Sequence, residues 1–139
     1  MVKIATEPEL TWQDRTVLTD MIRQFNQQFF QPSQWQSVAV FAKDEAGSIV
    51  GGALGEIGCD WLYLRILVVQ ENLRGQGIGS KILQVFEQEG QKQECVGVHL
   101  ETLEFSAQSF YEQHGYTVFA IQKNYPKGYS RYFMQKLFD

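Results

Sequence analysis

The chain of 139 residues has little cysteine and proline and no long apolar run. It contains two cysteines, Cys59 and Cys95, and three prolines. Two cysteines this far apart form neither a disulfide framework nor a zinc motif, so we interpret them as small buried or turn residues. No stretch approaches the roughly 18 apolar residues that a membrane-spanning helix needs, and the first ten residues lack the apolar core of a signal peptide. We therefore expect a cytoplasmic protein with no membrane partner.

Positive charge is also scarce. Lys and Arg number 12 against 16 Asp and Glu, which gives a formal net charge of -4 and a sequence pI of about 5.2. General nucleic-acid binding needs clustered cations that replace the counterions of the phosphate backbone, so no nucleic-acid partner is expected. The two histidines, His99 and His114, lack ligand-like spacing with acids or cysteines, and no metal site is predicted.

What the chain does contain is typical of one globular domain, which we predict over residues 1–139. Hydrophobic periodicity predicts the order β-α-β-β-β-α-β-α-β-β, an α/β (α+β) fold whose mixed sheet has a parallel crossover through residues 61–101. The predicted strands are 2–5, 37–43, 48–57, 61–69, 96–101, 116–122 and 131–138. The predicted helices are 12–29, capped by Thr11 and ended by Pro32, then one from Ile78 to a C-terminal glycine at Gly90, and 106–114.

The strand at residues 61–69, WLYLRILVV, has two different faces. Side chains alternate along a strand. The alternation predicts a core face with Leu62, Leu64 and Ile66. The opposite face is predicted to carry larger and mixed groups, namely Trp61, Tyr63, Arg65 and Leu67.

A glycine-rich segment, RGQGIGS at residues 74–80, separates this strand from the next predicted helix. Gly75, Gly77 and Gly79 occupy alternate positions beside Arg74. A helix N-terminus leaves backbone N–H groups without partners and carries partial positive charge. Glycines allow a bulky anion to come close to that backbone. One glycine would suit a simple bend, but three beside an arginine favour a phosphate-binding site.

Two common phosphate-binding motifs fit poorly. The Walker pattern G-x-x-x-x-G-K-[ST] is absent. A dinucleotide fingerprint G-x-G-x-x-G would start at Gly75, but Ser80 replaces its last glycine and the spacer 70–74 separates the glycines from the strand.

The segment R-G-Q-G-I-G resembles the Q/R-x-x-G-x-G/A signature of the GNAT superfamily of N-acetyltransferases. Residues 107–116, AQSFYEQHGY, resemble the family's A-x-x-F-Y-E-x-x-G-F/Y segment, and the two motifs occur in the family's order with one strand between them. The C-terminal NYPKGYSRYFMQKLF resembles a subgroup of small bacterial members without an assigned acceptor. The resemblance covers about residues 38–138.

This resemblance implies a mostly antiparallel sheet of six to seven strands with a splayed parallel pair, flanked by about four helices. It also implies acetyl-CoA as co-substrate and direct transfer of the acetyl group to the amine of a small molecule. Backbone N–H groups of the glycine loop would hold the pyrophosphate, and the strand before it would pair with the pantetheine arm. The implied donor-binding residues are Leu67, Val68, Val69, Arg74, Gly75, Gln76, Gly77, Ile78, Gly79 and Ser80.

For catalysis, the resemblance assigns Tyr111 as the acid that protonates the departing thiolate. Its alternative is a core aromatic. Glu101, at the end of the strand after the pyrophosphate helix, is our candidate for the general base. Glu56, Glu104 and His99 are further candidates, and each is equally consistent with a structural strand-end group.

Arg65 departs from the subgroup, which carries an acid at that position. It is either an acceptor-binding cation for a carboxylate or phosphate, or the partner of Glu101 or Glu56 in an ion pair. Tyr63 is the second acceptor-binding candidate, while Trp61 and Trp35 could also line the pocket or simply pack.

Two questions remain open at this stage. A non-enzymatic acyl-CoA-binding or sensing module on the same fold is the alternative to an enzyme, since fold alone does not determine activity. The second question is the oligomeric state, for which a homodimer through the aromatic C-terminal strands is one option.

Overall fold

The computed structural model describes residues 1–31 and 35–139. The chain divides after residue 33 into two compact units, which we describe separately. The predicted helix-ending role of Pro32 lies outside the described residues. No helix within the described residues combines the length and hydropathy needed to cross a membrane.

The first unit contains helix α1, Trp12–Asn26. Its N-cap is Thr11, whose Oγ1 accepts a hydrogen bond from the backbone N–H of Asp14 at 3.1 Å, as the capping pattern predicts. The helix ends three residues earlier than predicted. The predicted strand at residues 2–5 is wrong: these residues form no strand. A short apolar segment becomes a strand only where its backbone groups pair in a ladder, and periodicity cannot supply that partner.

The second unit is built on one six-stranded sheet in the order β1-β2-β3-β4-β6-β5. Every neighbouring pair is antiparallel except β3 and β4, which are parallel. The mixed, mostly antiparallel sheet with one parallel crossover is thus confirmed. The strands are β1 Gln36–Lys43, β2 Ile49–Gly58, β3 Trp61–Val69, β4 Gly97–Leu103, β5 Thr117–Lys123 and β6 Ser130–Leu137.

Two α-helices complete this unit, α2 Ile78–Lys92 and α3 Gln108–Gln113, with a 3₁₀ turn at Glu71–Leu73. The apolar stripe of α2 forms the core with one face of the sheet, because its spacing places those side chains on one side. The fully or nearly fully buried core side chains include Leu62, Leu64, Leu83, Phe86, Val98, Leu100 and Met134.

The predicted C-terminal glycine of α2 is wrong. Gly90 lies inside the helix and is buried, and a Cβ there would stand 2.8 Å from Cδ2 of Leu62. Close packing between helix and strand therefore explains this glycine. The helix ends at Lys92, and the left-handed residue after it is Glu94, with φ 61°.

A β-bulge corrects the predicted faces of β3. The register with β2 shifts where Leu54 pairs with Ile66 and Gly55 pairs with Leu64, so Arg65 is the extra residue. A bulge reverses the alternation beyond it. Leu62 and Leu64 are buried as predicted, but Ile66 is 46% exposed. Leu67 packs against the core instead.

The parallel pair β3 and β4 separates soon after it forms. Only Leu62–Leu64 pair with Val98–Leu100. Beyond that point β3 continues to Val69 and β4 to Leu103 without further pairing between them. A cleft opens where the strands diverge, and this divergence positions the site described next.

Candidate active site

A cleft of about 800 Å³ lies beside the C-terminal half of β3. Its walls come from β3, the glycine loop with the start of α2, and the segment leading into α3. Nine of the ten predicted donor-binding residues line it, and Gln76 is the exception. The lining residues are Leu67, Val68, Val69, Leu73, Arg74, Gly75, Gly77, Ile78, Gly79, Ser80, Phe105, Ser106, Ala107, Ser109, Phe110 and Tyr111.

The glycine loop has a left-handed backbone conformation at two of its three glycines. Gly75 and Gly77 both have φ +80°, and Gly77 is the N-cap of α2. The first hydrogen bond of the helix runs from the N–H of Lys81 to the carbonyl of Gly77 at 3.2 Å. The N–H groups before Lys81 precede that bond, so they are available to an anion in the cleft.

Gly79 lines the cleft as well. It lies within α2, and a Cβ there would make ordinary contacts with the Phe110 ring at 3.6 Å and with Cγ2 of Val69 at 3.8 Å. Arg74 is fixed near the same strand, since its Nε donates to the carbonyl of Val69 at 3.0 Å. Arg74 and the first residues of α2 line the same cleft.

Tyr111 combines a core position with access to the cleft. Its side chain is 7% exposed, and its ring packs edge-on against Phe110 and Tyr116 at centroid distances of 5.2 and 5.6 Å. Burial raises the pKa of Tyr111 to about 12. Tyr111 is thus a core aromatic that also lines the cleft.

A side chain of β4 contacts the backbone at the start of α3. Ala107 is the N-cap, with no side-chain cap of its own. Its backbone N–H donates to Oγ1 of Thr102 at 3.4 Å. Sequence reasoning missed Phe105, Ser106 and Ser109 as cleft residues, although Ser109 lies inside the recognised motif.

A second, smaller groove of about 230 Å³ lies on the face that carries Tyr63 and Arg65. It brings together Tyr63 and Arg65, the two predicted acceptor-binding residues, with Glu101, the predicted general base. Trp61 and Trp35 do not line it. The lining residues are Tyr63, Arg65, Glu101, Thr102, Leu103, Tyr125 and Arg131.

Arg65 forms an ion pair with Glu56. Its Nη2 and Nε donate to Oε1 of Glu56 at 2.6 and 3.2 Å. The pair joins the bulged residue of β3 to β2, which is one of the two structural alternatives. The other oxygen of Glu56 is buried and has no hydrogen-bond partner among the described residues.

The other carboxylate candidates differ in their engagement. Glu104 accepts the backbone N–H of Ser130 at 2.8 Å, which joins the residue after β4 to the first residue of β6. Within residues 1–31 and 35–139, Glu101 makes no ion pair. It lies beside Tyr63, and burial, followed by this neighbouring carboxylate, raises the pKa of Tyr63 to about 12.

His99 does not line the groove but packs against Tyr63, which does. Its ring stacks on Tyr63 at 4.7 Å and meets the edge of Trp61 at 5.8 Å. Burial lowers the pKa of His99, and the charge of Glu101 opposes that shift. The imidazole therefore favours its neutral form.

Sequence reasoning missed Arg131, which lies next to Leu103 in the β4–β6 register. Its Nε and Nη2 both donate to Oε1 of Gln122, at 3.1 and 2.7 Å, and its guanidinium lies 3.8 Å from the centroid of Tyr125. Among the described residues it has no carboxylate partner. Arg131 is thus a fixed cation with donors to spare.

Comparisons with known proteins agree with this geometry. Residues 35–118 match the acetyltransferase (GNAT) domain. An acetyltransferase of Agrobacterium fabrum is 30% identical over 121 residues, 87% of this chain and 88% of the relative. The chain belongs to the GNAT acetyltransferase family. Blasticidin-S acetyltransferase of Streptomyces morookaense is 32% identical over 99 residues, 70% of this GNAT chain and 73% of that protein.

Solved structures show the same GNAT fold. An acetyltransferase structure from Agrobacterium tumefaciens has a TM-score of 0.88 and 26% identity, covering 99% of this chain and all of that one. A streptothricin acetyltransferase structure from Bacillus anthracis, in complex with acetyl coenzyme A, has a TM-score of 0.68 at 18% identity, covering 75% and 64%. The second comparison concerns the fold alone.

Proposed function

We propose that this GNAT protein transfers an acetyl group from acetyl-CoA to the amine of a small molecule. The observation that carries the proposal is one cleft in which a splayed strand, a left-handed glycine loop at a helix N-terminus and a buried tyrosine meet. A relative named above, blasticidin-S acetyltransferase, acts on a small antibiotic by name, which supports the choice of acceptor class.

The donor would lie along the cleft in an extended form. Its pyrophosphate would meet the free N–H groups at the start of α2 and the guanidinium of Arg74. The pantetheine arm would follow the part of β3 that β4 leaves unpaired, where its amides can pair with main-chain groups of residues 67–69. Side chains matter less than backbone for this half of the site.

The chemistry would be direct attack of a neutral amine on the thioester carbonyl. The new C–N bond forms as the C–S bond breaks, the amine loses one proton and the thiolate gains one. Tyr111 would donate the proton to the thiolate. A hydroxyl whose pKa is about 12 stays protonated across the neutral range, so it is available as an acid and is regenerated from solvent.

Glu101 would take the proton from the amine, directly or through water. It is the carboxylate in the smaller groove that no described ion pair engages, whereas Glu56 and Glu104 already hold structural contacts. Tyr63 would line the binding site of the acceptor amine, and Arg131 would supply positive charge for an acidic group of that amine. Arg65 is a weaker candidate for that role, because Glu56 neutralises it.

A two-step experiment tests the proposal. First, melting temperature is measured with acetyl-CoA, NAD and ATP, because a ligand that binds the folded state stabilises it. Acetyl-CoA should raise the melting temperature while NAD and ATP should not. Second, release of free thiol is followed with amines of varied charge, including polyamines, aminoglycosides, amino acids and peptides.

Each outcome separates one candidate function from another. Thiol release that depends on an amine supports an N-acetyltransferase. Stabilisation by acetyl-CoA without amine-dependent release supports an acyl-CoA-binding module. Stabilisation by ATP but not by acetyl-CoA contradicts both.

A further inference from the structure

His114 makes one hydrogen bond to α3 and one to the start of α2, so its ring connects the two helices. Its Nδ1 lies 2.8 Å from the carbonyl oxygen of Phe110, and its Nε2 lies 2.9 Å from Oγ of Ser80. The ring also packs against Phe110 at a centroid distance of 4.6 Å. Ser80 lines the donor cleft, so the histidine supports a cleft residue from behind.

The end of α3 explains why the first of these bonds forms. The N–H of His114 donates to the carbonyl of Tyr111 at 3.0 Å rather than to that of Phe110. A carbonyl in the last turn of a helix needs another donor, and a histidine side chain can supply one. The ring of His114 satisfies the Phe110 carbonyl and is thereby fixed in orientation.

These two contacts determine which way the proton of Ser80 points. A carbonyl oxygen only accepts, so Nδ1 carries a hydrogen. In the neutral ring Nε2 is then an acceptor, and the Ser80 hydroxyl must donate to it. That hydroxyl presents only lone pairs to the cleft. A phosphate oxygen also presents lone pairs, so this arrangement is unfavourable for an anion.

Protonation of the imidazole reverses the direction of the bond. With a second N–H, Nε2 donates to Oγ of Ser80, and the Ser80 hydrogen is released to donate to a phosphate oxygen. One proton is taken from solvent and none is lost. Histidine is the side chain whose ordinary titration range makes such a change accessible near neutral pH.

We propose that His114 is a positioning residue that couples binding of the coenzyme A diphosphate to uptake of one proton, through the hydroxyl of Ser80. The inference rests on the proposed function, because it assumes coenzyme A in the donor cleft. His114 would thus act on the glycine loop from the C-terminal end of α3, which lies outside the glycine-loop motif.

The surrounding charges are consistent with a ring that responds to the ligand. The charged residues on the elements around it are Lys81, Glu87, Glu89 and Lys92 of α2, Glu112 of α3, and Arg131 and Lys136 of β6. Glu87 and Lys136 neutralise each other at 3.0 Å. A diphosphate bound at the start of α2 would add negative charge near the ring.

Calorimetry with 3′-dephospho-coenzyme A tests the coupling. That ligand keeps the diphosphate but lacks the phosphomonoester, whose own titration near pH 6 would obscure the result. Binding is measured from pH 6 to pH 8 in buffers of different ionisation enthalpy, which gives the number of protons taken up. For the wild type we expect net uptake and an affinity that increases as the pH falls, by at most about tenfold per pH unit.

Three variants give the result its meaning. His114→Gln places an amide near the position of Nε2 that can donate to Ser80, so binding should persist with little pH dependence. Ser80→Ala removes the hydroxyl, so proton uptake should disappear and affinity at pH 6 should fall. Glu112→Gln, an exposed change on the same helix, should behave as the wild type.

Different results would contradict the proton coupling, the role of the Ser80 hydroxyl and the proposed function. Binding with the same proton uptake in wild type and His114→Gln overturns the coupling and leaves the proposed function intact. Full uptake in Ser80→Ala overturns the role of the hydroxyl, because the proton then responds to the phosphate directly. Absence of binding by coenzyme A at every pH overturns the proposed function and the coupling with it.

Discussion

The larger cleft, proposed to bind the donor, and the smaller groove, proposed to bind the acceptor, are built in different ways. The cleft depends on backbone: two glycines with φ +80°, the first N–H groups of α2 and the unpaired part of β3. The groove depends on side chains that come from β3, β4, β6 and the loop before β6. A backbone site recognises a fixed ligand and tolerates most side-chain changes. A side-chain site changes its ligand when one residue changes, which is consistent with one donor and varied acceptors in a family.

The largest expected effect is a loss of turnover when Tyr111 is changed. Tyr111→Phe removes the proposed acid, so turnover should fall by about 10²-fold or more, with little change in the affinity for acetyl-CoA. Steady-state kinetics and calorimetry measure the two quantities. Tyr116→Phe is the matched control, because the Tyr116 hydroxyl donates to Glu87 at 2.6 Å outside the cleft lining. Unchanged turnover in Tyr111→Phe would remove the tyrosine from the mechanism.

The backbone character of the cleft is tested next. Gly77→Val forces a β-branched residue into a left-handed conformation, at a cost of about 1–3 kcal/mol, so affinity for coenzyme A should fall by roughly 10- to 100-fold. The space around Gly77 is open, so the strain is conformational rather than a clash. Val69→Ala changes only a side chain and should matter much less.

A matched glycine outside the cleft separates local strain from loss of the site. Gly47 has φ +84° and also has open space around it. Gly47→Val should lower the melting temperature as Gly77→Val does, while affinity for coenzyme A stays near the wild-type value. Equal loss of affinity in both variants would show that the cleft does not depend on the loop.

The acceptor side should respond to loss of its carboxylate. Glu101→Gln should lower turnover by about tenfold, with the affinity for acetyl-CoA unchanged, because water can take part of the base's role. Glu104→Gln is the control, since Glu104 holds the Ser130 backbone at 2.8 Å. If the Glu104 variant lost turnover and the Glu101 variant kept it, the assignment of the base would be reversed.

A smaller effect is expected from the two arginines of the groove. Arg131→Gln should raise KM for an amine substrate that carries a carboxylate by about three- to fivefold, because a partly exposed charge pair contributes about 1 kcal/mol or less. The change should be smaller for the same amine with a carboxamide in place of the carboxylate. Arg65→Gln should change KM less, because Glu56 already pairs with Arg65. A larger effect from Arg65 would restore it as the acceptor-binding cation.

The smallest effect concerns pH and stability. Burial lowers the pKa of His99 in the folded state, so folding favours its neutral form. Its contribution to stability is present above the unfolded pKa of about 6.5 and is lost as the pH falls toward the lower folded pKa. The melting temperature should therefore fall between pH 7.5 and pH 5.5, and His99→Gln should reduce that fall by about 2 °C. An identical fall in both proteins would contradict the assignment.

Sequence reasoning was most successful where local motifs carry the structure. The glycine segment, the α2 start and Tyr111 came from short patterns, and the structure brings them into one cleft. It failed at residues 2–5, where a strand was expected without a pairing partner. It also failed at Ile66, because the bulge at Arg65 arises from the register with β2, which is a contact between distant segments.

The sequence by itself determined the composition class, the order of the main elements and the family, since periodicity, caps and the glycine motif act over a few neighbouring residues. Only the tertiary structure decided which side chains share the smaller groove. Arg131 and Tyr63 are far apart in the chain, and they line one groove because β4 pairs with both β3 and β6. Likewise, His114 reaches Ser80 only because α3 packs beside the start of α2.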